Sequence, residues 1–311
     1  MPEIGILANP HSKMNKRRPD RMRRLGEIAG DLAIFEITNT FDDLSRAVRR
    51  FREANISLLA INGGDGTVAR TLTALLKEYG SNPLPRVVLL RGGTINVLAC
   101  NLGIFGSPES ILRRLVRKVR DKRPLASRSI TMLQVNNELG FLFGNGFTAT
   151  FLDEFYKNKT GHLGSLWLIL KIAFSFLVRG ELFRRVVVPL KVRLSAEGQP
   201  AREVESVAVL CATIPRMPMG PKLFPAVETR LNAFQLWCYT LQPHELVWHL
   251  HRAVLQKDKP HARFGFLGQQ ASLSIEGSDL YTLDGELHRA DNGRIEIATG
   301  PTLEFLTLKN L

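Results

Sequence analysis

The first apolar run, Ile4-Gly5-Ile6-Leu7-Ala8, is unbroken and stops at Asn9-Pro10, as expected of a strand covered on both faces. Ile34-Phe35-Glu36-Ile37 predicts a second strand, 57–61 a third and 86–90 a fourth, while helical periodicity fills 42–54 and 67–78. Strands separated by helices predict a parallel sheet with helices on both faces. Another helix starts near Ser107-Pro108-Glu109, a serine N-cap followed by proline at the first helical position. Its residues Ile111, Leu112, Leu115, Val116 and Val119 form an apolar face opposite Arg113, Arg114, Arg117, Lys118 and Arg120. That basic side reads as a solvated face in preference to a membrane-docking strip.

After about Ser127 the pattern changes to short alternating runs, with turn residues at Asn136-Asn137, Glu197-Gly198-Gln199-Pro200 and Asp291-Asn292-Gly293. Antiparallel strands are expected there, interrupted by helical stretches at 165–179 and 243–256. A chain of 311 residues accommodates two cores. The expected division is an α/β domain over 1–126 and a β-rich domain over 127–300.

Candidate chemistry sits where the strands of the first domain end. Leu58-Leu59-Ala60-Ile61 runs directly into Asn62-Gly63-Gly64-Asp65-Gly66-Thr67, and a helix follows at once. Glycines at a strand-to-helix turn let backbone N–H groups and the helix N-terminus face phosphate oxygens. Asp65 would repel bare phosphate, but it suits a site holding Mg²⁺ directly or through water. A second glycine turn, Arg91-Gly92-Gly93-Thr94-Ile95-Asn96, follows the next strand and would line the same crevice. Asn9, His11, Ser12 and Lys13 close the first strand at that edge, and Thr38 and Thr40 the second; nucleotide contacts and ordinary helix caps are equally open for them. Asp284-Gly285-Glu286 lies between alternating segments, and on residue pattern alone it is an acidic hairpin.

Asn9-Pro10, Gly63-Gly64-Asp65-Gly66-Thr67, Gly93-Thr94-Ile95-Asn96 and Asp284-Gly285-Glu286 occur in the order found in the diacylglycerol and lipid kinases, which the chain resembles over nearly its whole length. The resemblance implies an N-terminal parallel-sheet α/β nucleotide-binding domain, a C-terminal antiparallel β-sandwich domain and an active cleft between them. It also implies that residues 301–311 return to the first domain. ATP would be the phosphoryl donor and Mg²⁺ the cofactor, with Asp65 as the metal residue. Glu286 would accept the proton of the substrate hydroxyl, with Asp284 and Asp65 as the other catalytic residues. The glycine-aspartate loop is shared with NAD kinases, so it marks a kinase superfamily and not a substrate. Departures from the family pattern are Ala69-Arg70 where Asn-Glu is frequent, Val97 after Asn96, Thr131 in place of an aspartate, and no Asp-Gly pair between Pro225 and Gln235. The last of these bears on a second, structural Mg²⁺ of related bacterial kinases.

Charge sharpens the choice of partner. Lysine and arginine exceed aspartate and glutamate by 42 to 29, which favours an anionic partner. No aromatic stacking pattern accompanies the basic clusters, which argues against nucleic acid. The apolar run 166–178, flanked by arginines, is too short for the roughly 20 residues needed to span a bilayer, but fits lying on a membrane or in a core. His244, His249 and His251 lack zinc-ligand spacing. Three scattered cysteines and an N-terminus without a secretory pattern suit a reducing cytoplasm. The leading expectation is an ATP-dependent lipid kinase at the inner membrane face, acting on diacylglycerol first, with a sphingoid base or ceramide as substitutes. A soluble NAD kinase and a regulator without turnover are the alternatives. Homodimerisation is left open.

Overall fold

The computed structural model describes residues 3–157, 187–196, 200–218, 220, 222–240 and 267–307. The helical expectations at 165–179 and 243–256, and most of the turn at 197–200, lie outside them. The chain divides into two compact units: Met1–Ile130 with Pro218–Gly220 and Thr302–Leu311, and Thr131–Met217 with Pro221–Pro301.

In the first unit, strands β1 (Ile4–Ala8), β2 (Ala33–Ile37), β3 (Leu58–Asn62) and β4 (Arg86–Leu89) form a parallel sheet in the order β2-β1-β3-β4. Phe305, near the end of the last strand, adds a parallel pairing with Val87 on the far side of β4. Every residue of β1 and β3 is buried, which accounts for their unbroken apolar sequences.

The helices are α1 (Lys13–Lys16), α2 (Arg21–Ala29), α3 (Phe41–Glu53), α4 (Asp65–Tyr79), α5 (Val97–Asn101) and α6 (Pro108–Arg120). Helix α4 begins two residues earlier than its periodicity predicts. Gly64 supplies the extended N-cap backbone, and Asp65 in the first turn complements the positive end of the helix. Helices α1 and α2 fall in a stretch that reads as a basic cluster. The reason is Arg21, which shares the buried stripe of α2 with Leu25 and Ala29, where a nonpolar residue would ordinarily announce the helix.

Arg21 is tolerated there because its Nε donates to Glu109 Oε1 of α6 at 2.9 Å, and its Nη1 to the Met14 carbonyl at 2.8 Å. Burial alone would raise the Glu109 carboxyl, but the Arg21 hydrogen bond and charge outweigh it and hold the group below its usual value. Glu109→Ala should therefore cost about 3–5 kcal/mol by stranding a buried guanidinium. Because the folded value is lowered, the pair stabilises the fold above pH about 4.5 and ceases to do so as pH falls through the depressed value. Urea midpoints of wild type and variant should differ widely at pH 7 and converge in acid.

The second unit is a β-sandwich. Its strands are β5 (Ser127–Val135), β6 (Glu138–Gly140), β7 (Leu142–Asn145), β8 (Leu190–Ala196), β9 (Arg202–Ser206), β10 (Ala208–Ala212), β11 (Phe234–Tyr239), β12 (Leu267–Gln270), β13 (Ser272–Glu276), β14 (Leu280–Leu283), β15 (Glu286–Arg289) and β16 (Arg294–Leu306). One sheet runs β16-β13-β8-β9, with β5 on β16 and β6 on β5, and the other runs β12-β11-β10-β7-β14-β15. Leu133, Val192, Leu273 and Ile295 of the first sheet share one core with Phe143, Cys211, Leu236 and Tyr281 of the second. Helix α7 (Phe147–Lys157) interrupts the strands where only alternation was expected. It starts after Gly146, whose φ of 69° and close approach to the Val207 carbonyl exclude a side chain. No helix among the described residues is long and apolar enough to cross a membrane.

Candidate functional site

The strand order fixes where the first unit can bind a ligand. After β1 the chain leaves to one side of the sheet and after β2 it returns to the other, so the carboxyl ends of β1 and β3 flank a topological switch point. Asn9 and Asn62 stand at those ends, joined by Asn9 N–H donating to the Asn62 carbonyl at 2.9 Å. Asn9 Nδ2 donates to Thr67 Oγ1 at 2.9 Å, and Asn9 Oδ1 accepts from His11 N–H at 2.8 Å. Asn15 donates to the Asn9 carbonyl at 2.7 Å and accepts from Asn62 Nδ2 at 3.4 Å. Asn15 is only 2% exposed and ties these loop ends together; its place in a basic stretch gave no sign of that role.

The two glycine turns meet backbone to backbone. A Cβ on Gly93 would lie inside van der Waals contact with Gly64 Cα, and one on Gly63 would collide with the Thr67 side chain. The Gly93 turn is locked by its own asparagine: Asn96 Oδ1 accepts from Gly93 N–H at 3.0 Å and Asn96 Nδ2 donates to the Gly93 carbonyl at 2.7 Å. Asn96 adopts φ 52°, in the left-handed region that asparagine tolerates, and gives α5 no side-chain cap. Asp65 provides that cap from the neighbouring turn. Its carboxyl is raised by burial, an effect opposed by the backbone N–H groups of Val97, Leu98 and Asn96. At the starts of α4 and α5, desolvation of the Asp65 carboxyl thus outweighs the helix amides that oppose it.

These contacts gather Asn9, Gly63, Gly64, Asp65, Gly66, Thr67, Gly93 and Asn96 into one cradle. Gly64 has no side chain with which to cap α4, and beyond the Asp65 N–H, which meets its own carboxylate, the N–H groups of Gly66 and Thr67 are left for an incoming acceptor. Ser12 Oγ and Asn62 Oδ1 are buried beside the cradle with no hydrogen-bond partner, which is unusual unless a ligand or water completes them. Thr94 is exposed in the second turn.

Next to the cradle lies a cleft of about 440 Å³, counted out to its open mouth, between the ends of β1 and β2 and the starts of α3 and α4. Asn9, Thr38, Thr40, Thr67 and Thr71 give it polar walls, and Arg70 stands over the Phe41 ring at 5.2 Å. Thr40 also closes a capping box: its Oγ1 accepts from Asp43 N–H at 3.1 Å, and the Asp43 carboxylate accepts from Thr40 N–H at 3.0 Å. Thr40 is thus a helix cap that also lines the cleft.

The donor set fits a magnesium ion that arrives with a nucleotide. Mg²⁺ is commonly held by one or two carboxylates, with phosphate oxygens and water completing its shell. Asp65 supplies one carboxylate, already engaged by helix amides, so water-mediated contact suits it best. Among the described residues no group of three His, Cys, Asp or Glu could hold a metal unaided. Near 225–235 the Gln235 side chain accepts from Ala226 N–H at 2.9 Å, and Thr131 Oγ1 accepts from Asn232 N–H at 3.3 Å.

In the second unit Asp284 and Gly285 form a two-residue hairpin between β14 and β15, with φ 49° and 85°. Glu286 is the first residue of β15, opposite Leu283, and is half-buried. The Asp284 carboxylate accepts N–H groups of Phe141 at 3.1 Å and Leu142 at 2.9 Å. Asp284 is thus committed to the backbone and positions the hairpin, a role its acidic character does not advertise. Tyr156 of α7 donates its hydroxyl to the Gly285 carbonyl at 3.0 Å. Burial, and secondarily the charge of Glu286, raise the Tyr156 hydroxyl.

Residues 3–127 match the sequence profile of the diacylglycerol kinase catalytic domain. No curated protein matches the sequence. Among solved structures, a diacylglycerol kinase from Bacillus anthracis strain Sterne superposes with a TM-score of 0.68 at 16% identity, covering 99% of this chain and 97% of that one. Two provisionally assigned diacylglycerol kinases of the same strain superpose with TM-scores of 0.70 and 0.65 at 15% and 16% identity, covering 99% of this chain and 95% and 98% of theirs. At such identity these likenesses establish the fold.

Proposed function

We propose, from the match of residues 3–127 to the diacylglycerol kinase catalytic domain profile, that the chain transfers the terminal phosphoryl group of ATP to the hydroxyl of a membrane lipid. Diacylglycerol is the first substrate to test; a sphingoid base or ceramide offers the same hydroxyl chemistry. The reading extends to peripheral work at an anionic membrane surface. The observation that carries it is the contact of the two glycine turns, which sets Asp65 and the open first turn of α4 at the switch point.

In this reading the N–H groups at the start of α4 bind the phosphates, and Gly63, Gly64 and Gly93 let the backbone come close to them. Thr94 lies within reach of solvent to contact the same group. Asn9 and Thr67 keep the loop ends together, while Ser12 and Asn62 offer their unpartnered oxygens to the ligand shell. Bound Mg²⁺ would neutralise charge accumulating on the transferring phosphoryl group. Asp65 would orient the water around that ion. Glu286 accepts the proton of the lipid hydroxyl, on a hairpin that Asp284 holds fixed. With a loose transition state, positioning contributes more than strong deprotonation.

Purified protein incubated with labelled ATP, Mg²⁺ and a panel of diacylglycerol, sphingosine and ceramide in mixed micelles should label at least one lipid. Labelling of none, where a control kinase labels its own substrate, contradicts the proposal. NADP formation from NAD would move the chain to the soluble-kinase reading, and ATP binding without any turnover to the regulatory one.

A further inference from the structure

We propose that the loop Gly103–Gly106 and the outer stripe of α6 form a docking surface for a bilayer carrying anionic headgroups. The inference deepens the lipid-kinase reading by naming the surface through which substrate membrane is met, and it is testable without turnover.

Gly103 and Gly106, with φ 67° and 110°, bracket Ile104-Phe105. Ile104 is completely buried and anchors the loop, while Phe105 remains 63% exposed. Held outward on a buried neighbour, this large aromatic side chain leaves most of its apolar surface to the solvent. Its position is not left to chance: the Arg91 guanidinium lies 5.8 Å from the ring centre, and Arg114 donates to the Phe105 carbonyl at 3.1 Å. Arg91 directly precedes Gly92-Gly93, so the exposed ring stands at the same carboxyl edge of the sheet as the cradle. Ile95, 53% exposed in that second turn, is a further large apolar group.

Helix α6 supplies the charge. It carries Arg113, Arg114, Arg117, Lys118 and Arg120 against a single acid, Glu109, which is buried and consumed by Arg21. Arg113, Arg117 and Arg120 are exposed on one stripe, and no carboxylate among the described residues pairs with them. An exposed aromatic ring on the loop that leads into α6, together with a strip of unpaired arginines on that helix, matches the interface of an anionic bilayer, where the ring enters the headgroup region and the cations meet lipid phosphates. Single-stranded nucleic acid is less well matched, because one ring does not make a stacking platform for successive bases.

The full chain should co-sediment with vesicles of 70:30 phosphatidylcholine to phosphatidylglycerol in 0.1 M salt and not with phosphatidylcholine alone. Phe105→Ala should weaken partitioning about ten-fold, and Arg113→Gln with Arg117→Gln about five-fold for each cation removed. All three positions are exposed, so circular dichroism and thermal midpoints should be unchanged. Variants that bind as tightly as wild type, a wild type indifferent to headgroup charge, or arginine-dependent capture of single-stranded RNA that Phe105→Ala leaves intact would each overturn the proposal. Phosphorylation of dispersed short-chain diacylglycerol, measured in parallel, separates the two ideas. Vesicle binding without phosphorylation removes the kinase reading alone, and phosphorylation with variant-insensitive binding removes the docking surface alone.

Discussion

Gly93→Ala is expected to abolish detectable ATP binding, a loss of at least about 100-fold, while lowering fold stability by only about 1–3 kcal/mol. The added methyl would overlap Gly64 Cα, and a backbone atom at a turn has no rotamer by which to move away. Separating the turns withdraws Asp65 from the amides of Val97 and Leu98 and tilts the first turn of α4. Gly26→Ala is the natural control, since nothing lies within 4 Å of the Cβ it would add. Calorimetric affinity together with urea midpoints checks both parts: ATP binding unchanged in a folded Gly93→Ala protein would show that the contact between the turns does not shape the site.

Glu286→Gln should lower kcat by about 10²- to 10⁴-fold through loss of the proton acceptor, with ATP affinity and thermal midpoint near those of wild type. Asp284→Ala should also lose activity, but through the scaffold. It leaves the N–H groups of Phe141 and Leu142 without their acceptor, at a cost of about 1–3 kcal/mol. The pair therefore separates by stability, not by turnover. Full activity in Glu286→Gln would remove this residue from the mechanism, and an unchanged midpoint in Asp284→Ala would remove the hairpin argument.

What could be read from residue order and what could not have distinct physical causes. Strands β1 and β3 announce themselves because burial on both faces demands unbroken apolar sequence. The hairpin at Asp284-Gly285 is marked by residues that tolerate positive φ. Helix α2 is hidden because Arg21 occupies a buried position that becomes acceptable only with Glu109, 88 residues away. The same distance problem conceals the engagement of Asp65 by the amides of α5 and of Asp284 by the β7 backbone. From sequence Asp65 reads as a metal residue and Asp284 as part of an acidic hairpin, and neither reading reveals the amides that engage it. Gly93 gives the complementary case: glycine suggests close approach to phosphate, yet the approach that most restricts it is to Gly64. The cleft beneath Arg70 and Phe41 joins residues 29 positions apart through the helices that follow β2 and β3, the strands on either side of β1, and only the fold brings them together.

The most direct measurement is calorimetric titration of ATP with Mg²⁺ into wild type and Asp65→Asn. Saturable one-site binding to wild type, weakened at least about ten-fold in a folded Asp65→Asn protein, is the predicted result. No heat with any purine triphosphate for wild type, or equal affinity in the two proteins, would contradict the assignment of this cradle to a magnesium nucleotide.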